Sequence, residues 1–125
     1  MKEKTGILFI QLSDEITYKF TNKLKDSVLS SCPSLTCFEI DNHSNTILID
    51  YALKFVDLFE NALVIIQSES ETQKISSLTQ LFRQLPKKEQ VVFIDNSDNK
   101  MINLLFKREK NYQKDLLAED VLRLI

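Results

Sequence analysis

Short runs of apolar residues recur along the chain, and longer segments with helical periodicity separate them. The runs cover residues 5–12, 35–40, 62–66 and 91–94. Runs that are apolar at nearly every position are typical of strands buried on both faces, as in parallel sheets. The run 62–66 is expected to form a central strand. Glu39 places a charge in the second run, which predicts an edge strand or a strand end.

The intervening segments show apolar residues every three or four positions, which predicts amphipathic helices. The first helix should begin at a capping signal at 13–15, and the second should run from Ile47 to about Asn61. Pro86 should end the third. The C-terminal part is ambiguous, because residues 100–109 look helical while a fifth strand is expected either near 111–113 or at 102–106. Residues 115–125 are predicted to form the last helix.

Strands that alternate with helices predict repeated βαβ units. The expected fold class is α/β, a three-layer α/β/α domain with a four- to five-stranded, mainly parallel sheet of flavodoxin-like type. The chain has 125 residues and contains no evident linker or internal repeat. Residues 1–125 are therefore predicted to form a single domain.

Charge and hydropathy indicate which binding partners and which cellular location to expect. The 16 basic and 18 acidic residues leave a net charge of -2, which predicts neither nucleic-acid nor anionic-membrane binding. No apolar run approaches the ~20 residues of a membrane span, and the run after the charged start is too short for a signal peptide. A cytoplasmic location is therefore expected. Cys32 and Cys37 are interpreted as free thiols, and no metal site is predicted.

Glycine is the most informative residue count, because the single glycine, Gly6, precedes the first strand. Phosphate-binding loops need glycines after a strand, so dinucleotide fingerprints and P-loops are excluded and no cofactor is predicted. A GxSxG motif is also missing, and only one histidine, His43, could activate a nucleophile. No catalytic residue is therefore predicted.

Polar residues that follow the predicted strands are the candidates for a ligand site, because open α/β sheets bind ligands beyond the carboxyl ends of their strands. The candidates are Ser13, Asp14, Asp41, Gln67, Glu69 and Asp95. Helix capping and turn formation explain the same residue types equally well. Asp14 and Asp95 would bind a divalent cation together only if the first and fourth strands were neighbours.

The second predicted helix has apolar residues over more than half of its circumference, although a helix on one face of a sheet needs a stripe of only about 100°. The excess should be covered by another part of the chain or by a second protein. Ile49, Leu53 and Val56 are the predicted interface residues, and a homodimer or another protein is the predicted partner.

The order of segments resembles that of TIR-type domains over roughly residues 5–98. The resemblance lies in ILFIQ followed by SDEITYKFTNKLKDSVLSS, in TCFEIDNHSNTILIDYALKFVDLFENALVIIQSES, and in VVFIDNSD. Enzymatic members that cleave NAD carry a glutamate in a W-x-x-E-L-like stretch of the third helix, where this chain has Gln80. The resemblance therefore implies a non-catalytic copy.

Receiver domains are the rival resemblance, with the same element order and a similar final segment, NYQKDLLAEDVLRLI. Their phospho-accepting aspartate should end the third strand, where Gln67 stands. The leading hypothesis is a non-enzymatic protein-interaction or regulatory module that self-associates. The alternatives are a binder or enzyme for a nucleotide-like small molecule at the strand ends, and a degenerate receiver-like domain.

Overall fold

The computed structural model describes residues 3–12, 23–68, 75–97, 99–109 and 111–125. Five parallel strands form one sheet in the order β2-β1-β3-β4-β5. They are β1 (Glu3–Leu12), β2 (Thr36–Asp41), β3 (Phe59–Ser68), β4 (Val91–Asn96) and β5 (Tyr112–Lys114). β3 is central and β2 lies at an edge, as predicted from the hydrophobicity of 62–66 and from Glu39.

Within the described ranges, five α-helices connect or follow the strands. They are α1 (Lys23–Ser31), α2 (Thr46–Val56), α3 (Thr79–Gln84), α4 (Lys100–Phe106) and α5 (Ala118–Arg123). Short 3₁₀ turns at Ser76–Leu78 and Leu85–Lys87 flank α3. Pro86 lies in the second of these turns, where its fixed φ and missing N–H end the α-helix.

The sheet is buried on both faces, which explains why its strands are apolar at successive positions. Leu8 and Ile10 of β1 belong to the core beneath α2, α3 and α4. Ile7 and Phe9 belong to the core beneath α1 and α5. Because successive side chains of a strand point to opposite faces, a continuous apolar run requires helices on both sides. The predicted three-layer, flavodoxin-like α/β/α architecture is thus confirmed.

The end of α2 differs from the sequence-based expectation, and the structure also decides where the fifth strand lies. α2 ends at Val56, and the chain has already entered β3 at Phe59, which pairs with Glu3 of β1. Leu58 therefore lies in the turn rather than on the helix. Pairing with a neighbouring strand is a tertiary interaction, and it overrides the local helical periodicity. The fifth strand is the one near 111–113, so the alternative placement at 102–106 is wrong, because those residues form α4.

The part of the chain that the structure describes contains no helix with the length and apolar character needed to cross a membrane.

Gly6 lies in β1 where the ring of Phe59 packs directly against the backbone. A Cβ atom built on Gly6 would collide with the Phe59 side chain. Phe59 is buried and packs edge-on against Phe55, with the ring centroids 4.9 Å apart. A glycine inside a strand commonly marks such a close approach. The single glycine of the chain therefore serves packing rather than ligand binding.

Replacing Gly6 with alanine should lower the free energy of unfolding by about 1–3 kcal/mol, because the added methyl group overpacks the Phe59 ring. Urea denaturation at neutral pH measures the effect. The cost of Gly6→Ala should be smaller in a Phe59→Leu background, which leaves room for the methyl group. An equal cost in both backgrounds would show that the two residues do not interact in this way.

Candidate functional site

A row of polar side chains crosses the sheet at the carboxyl ends of four adjacent strands. Asp41 of β2 pairs in register with Gln11 of β1, Gln11 with Gln67 of β3, and Gln67 with Asn96 of β4. Residues in register on parallel strands project to the same face. Gln11 has the parity of Ile7 and the other β1 residues beneath α1 and α5, so the row lies on that face.

Gln11 and Gln67 occupy the point where the strand order reverses. The chain leaves β1 toward β2 at one edge, whereas it leaves β3 toward β4 on the other side. Open α/β sheets bind ligands at such a switch point, outside the carboxyl ends of the strands. The two glutamines therefore lie at the position where a ligand is expected in this fold class.

Gln11 has one amide atom that the described residues leave without a partner. Its Nε2 donates to Gln67 Oε1 over 2.6 Å, while its Oε1 is buried and accepts no hydrogen bond within the described part of the chain. The side chain is only 4% exposed. Turning both amides over would reverse the bond and leave the Gln11 nitrogen unpaired instead. A buried unpaired polar atom costs about 1–3 kcal/mol, so it requires a physical explanation.

Asp41 is used to build the turn between β2 and α2. Its Oδ1 accepts from the backbone N–H of His43 over 2.7 Å and from Ser44 Oγ over 3.2 Å. Asn45 then caps α2 by accepting from the N–H of Leu48 over 3.0 Å. These bonds are the turn-and-cap chemistry expected of aspartate and asparagine.

Asp95 is fully buried and holds the end of β4 to β5. Its Oδ1 accepts from the N–H and the Oγ of Ser97 over 2.9 Å and 2.5 Å. Its Oδ2 accepts from the hydroxyl of Tyr112 over 2.6 Å, and Asn103 of α4 donates to the same hydroxyl over 3.3 Å. A buried carboxylate with several charge-assisted bonds is a structural anchor.

Burial, together with the hydrogen bond to Asp95, raises the pKa of Tyr112 to about 12. Desolvation disfavours the phenolate, and the neighbouring carboxylate repels it. The hydroxyl therefore stays protonated, and it can keep donating to Asp95 over the neutral and moderately alkaline range.

The structure does not bring all of the predicted site residues together. Ser13, Asp14 and Glu69 lie outside the described residues. Asp95 projects with Phe93 toward α4, on the opposite face from the glutamine row. β3 lies between β1 and β4, so the condition for a cation shared by Asp14 and Asp95 is not met. No group of three potential metal ligands occurs within the described ranges.

Tyr112 is a site residue that the sequence-based analysis missed, whereas Gln11 belongs to the polar residues that follow the first predicted strand, although it is not among the six selected candidates. Gln11 had a signal, because the segments FIQ and IIQ place a glutamine directly after the apolar runs of both β1 and β3. Tyr112 had none, because its contact with Asp95 joins residues that only the sheet brings together. Gln80, which the resemblance to TIR-type domains matches to their glutamate, is exposed on α3.

The predicted interface residues of α2 are divided between the core and its margin. Ile49 and Val56 are 3% and 0% exposed, and both pack against the sheet of the same chain. Leu53 is half-buried against the same core. The apolar residues that α2 and the following turn leave exposed are instead Ile47, Leu48, Tyr51 and Leu58.

The fold and the switch point define an open, doubly wound α/β domain of flavodoxin-like order. Comparisons with protein-family models, with curated proteins and with solved structures give no match to this chain.

The raised pKa of Tyr112 predicts a loss of stability in alkali. An unfolded tyrosine ionises near pH 10, whereas the folded Tyr112 ionises at about 12. As the pH rises, Tyr112 therefore loses its proton first in the unfolded state. Its contribution to the free energy of unfolding is complete below about pH 10 and is lost as the pH rises to about 12. Between pH 9 and pH 11.5, urea denaturation should show a smaller fall in the free energy of unfolding for Tyr112→Phe than for the unmodified chain.

If Tyr112→Phe shows the same pH dependence of the free energy of unfolding as the unmodified chain, the bond between Tyr112 and Asp95 does not couple ionisation to folding.

Proposed function

We propose that this protein is a non-enzymatic protein-interaction module that forms a homodimer through one side of α2. The α2 outer face consists of Ile47, Leu48 and Tyr51 together with Leu58 in the following turn. The observation that carries the proposal is the exposure of these four apolar side chains, which is 65%, 40%, 59% and 59%. Single exposed apolar residues are ordinary, whereas a cluster on one side of an element marks an interaction site.

The helical spacing places Ile47 and Tyr51 together. Ile47 and Tyr51 are four positions apart and lie on the same side of the helix. Ile49, Ala52 and Val56 occupy the opposite side, against the sheet. The α2 outer face is therefore additional to the stripe that holds the helix on the core.

The charges beside the α2 outer face are self-complementary. Asp50 and Lys54 flank it, and Lys54 Nζ lies 6.0 Å from the centre of the Tyr51 ring. An antiparallel pairing of two α2 helices through the α2 outer face, with the twofold axis at the level midway between Asp50 and Lys54, would bring Asp50 level with Lys54 of the second copy. Such a pairing is isologous, so the same ion pair would form twice.

The chemistry at the strand ends also supports a module without catalysis. Asp41 and Asp95 both use carboxylate oxygens in turn and anchor bonds. The resemblance to TIR-type domains points in the same direction, because Gln80 replaces their working glutamate.

Ile47→Lys should convert the dimer to a monomer, because it places a charge in the apolar contact. Size-exclusion chromatography with light scattering at micromolar to high micromolar concentration measures the mass. Leu104→Lys is the matched control, since Leu104 is 60% exposed but lies on α4. Both variants should unfold within about 0.5 kcal/mol of the unmodified chain, because both positions are on the surface.

A monomeric unmodified chain at high micromolar concentration would contradict the proposed dimer. Equal loss of dimer in Ile47→Lys and Leu104→Lys would contradict the assignment to α2.

A second candidate function is binding of a small polar ligand at the switch point, and it is favoured by the buried Gln11 Oε1, which has no partner among the described residues. A glutamine amide carries an acceptor beside a donor, which suits the edge of a nucleobase. Retaining an unpaired buried atom lowers stability, and such a cost is common where function requires the residue.

Gln11→Met should raise the free energy of unfolding by about 1 kcal/mol, because it removes the unpaired buried atom while Gln67 can still reach water. Thermal shift with adenosine and uridine tests the binding, and any shift should be absent in the variant. Gln80→Met is the exposed control and should change neither result. A destabilised Gln11→Met chain without any nucleoside shift would assign Gln11 to structure alone.

A further inference from the structure

A second apolar surface lies on the same side of the sheet as α2 but is separate from the α2 outer face. We propose that the groove between α3 and α4 binds a small amphipathic carboxylate, whose chain lies in the groove while its carboxylate pairs with Arg83. The groove has a volume of about 380 Å³. Its lining consists of Ile75, Ser76, Thr79, Phe82, Arg83, Met101 and Leu105.

The floor of the groove is firmly held. Phe82 is 5% exposed and packs edge-on against Phe106, with their ring centroids 5.4 Å apart. Phe106 in turn stacks on Phe93 of the sheet at 4.4 Å. A ligand chain would therefore rest on a fixed aromatic surface and would not need to open the core. A preformed site of this kind lowers the entropic cost of binding.

The rim of the groove is apolar and adaptable. Met101 and Leu105 of α4 are 55% and 49% exposed, so a ligand would remove a large apolar area from water. Methionine is unbranched and flexible, which lets it follow the contour of a bound chain. These side chains have no role in the proposed α2 dimer.

The charge of the groove selects an anion. Arg83 is exposed in the last turn of α3, and its guanidinium forms no ion pair within the described part of the chain. Among the residues that the structure describes, no acidic side chain lines the groove. The planar guanidinium matches a carboxylate with two parallel hydrogen bonds, so the carboxylate is the head group that fits.

The size of the groove favours a small molecule over a protein. Small-molecule pockets commonly measure about 300–1,000 Å³ and are mostly apolar with a few polar groups. A stable protein interface buries about 800 Å² on each partner, so a protein bound here would also have to cover the surface beyond the groove. A straight-chain carboxylate of medium length satisfies the volume, the apolar lining and the single cation together.

Titration of the ¹⁵N-labelled full chain with decanoate, below its micelle concentration, tests the proposal. Chemical-shift changes should cluster around Phe82, Met101 and Leu105. Each methylene added between hexanoate and decanoate should tighten binding about two- to fourfold, because the chain is buried in an apolar groove. Changes spread over another surface, or the absence of saturable binding, would overturn the assignment.

Arg83→Gln should weaken decanoate binding about threefold to fivefold, which is the size of effect expected for a solvent-exposed ion pair. Binding of decanol should be unaffected by the same change, since it has no carboxylate. Arg108→Gln is the matched control, because Arg108 is also exposed but lies outside the groove. Equal effects of the two substitutions, or an equal loss for decanol, would overturn the role of Arg83.

Decanoate binding in the groove does not depend on the proposed dimer, because Ile47→Lys changes α2 and leaves the groove intact. Decanoate binding in that variant should equal binding in the unmodified chain. A loss of binding there would overturn a groove formed by α3 and α4 alone.

Discussion

Burial of β1 and β3, which lie side by side among the three inner strands, is the interaction on which the rest of the structure depends. Residues 7–10 and 62–66 are removed from water on both faces of the sheet. A strand with two apolar faces is stable only when both are covered, and parallel connections supply the covering helices as they cross. The same connections align the carboxyl ends of all strands at one edge. The hydrophobicity of two short segments therefore also decides where polar chemistry can occur.

Polar groups at that edge divide into two kinds. Asp95 is fully buried, but its oxygens are paired with Ser97 and Tyr112. These hydrogen bonds hold the short strand β5 to β4. Gln11 is almost as buried, yet one of its amide atoms has no partner among the described residues. The paired carboxylate of Asp95 stabilises the fold, whereas the unpaired atom of Gln11 lowers its stability. A fully paired network is the expected outcome of selection for folding alone, so the unpaired amide is the more informative feature.

The helices carry more apolar surface than the sheet requires. α2 is fixed by Ile49, Ala52 and Val56, yet Ile47 and Tyr51 remain exposed on its other side. The α3–α4 side differs, because there the exposed residues border a groove with an aromatic floor and with a guanidinium, that of Arg83, which forms no ion pair among the described residues. A flat apolar face suits a second copy of the chain, whereas a small groove with one cation suits a small molecule. The two surfaces thus favour different partners.

The sequence by itself determined the fold class, because continuous apolar runs alternating with helical stripes have few stable arrangements. It also indicated the edge position of β2 and the central position of β3. It could not determine that the chain enters β3 at Phe59, since pairing with Glu3 overrides a periodicity that still looks helical.

Only the tertiary structure decided which side of α2 meets the sheet, and hence that Ile49 and Val56 are core residues while Ile47 and Tyr51 are exposed. It alone brought Gln11 beside Gln67, Tyr112 onto Asp95, and Arg83 to the rim of a groove. Each of these depends on contacts between residues distant in sequence. Local periodicity describes one element at a time and carries no information about its neighbours.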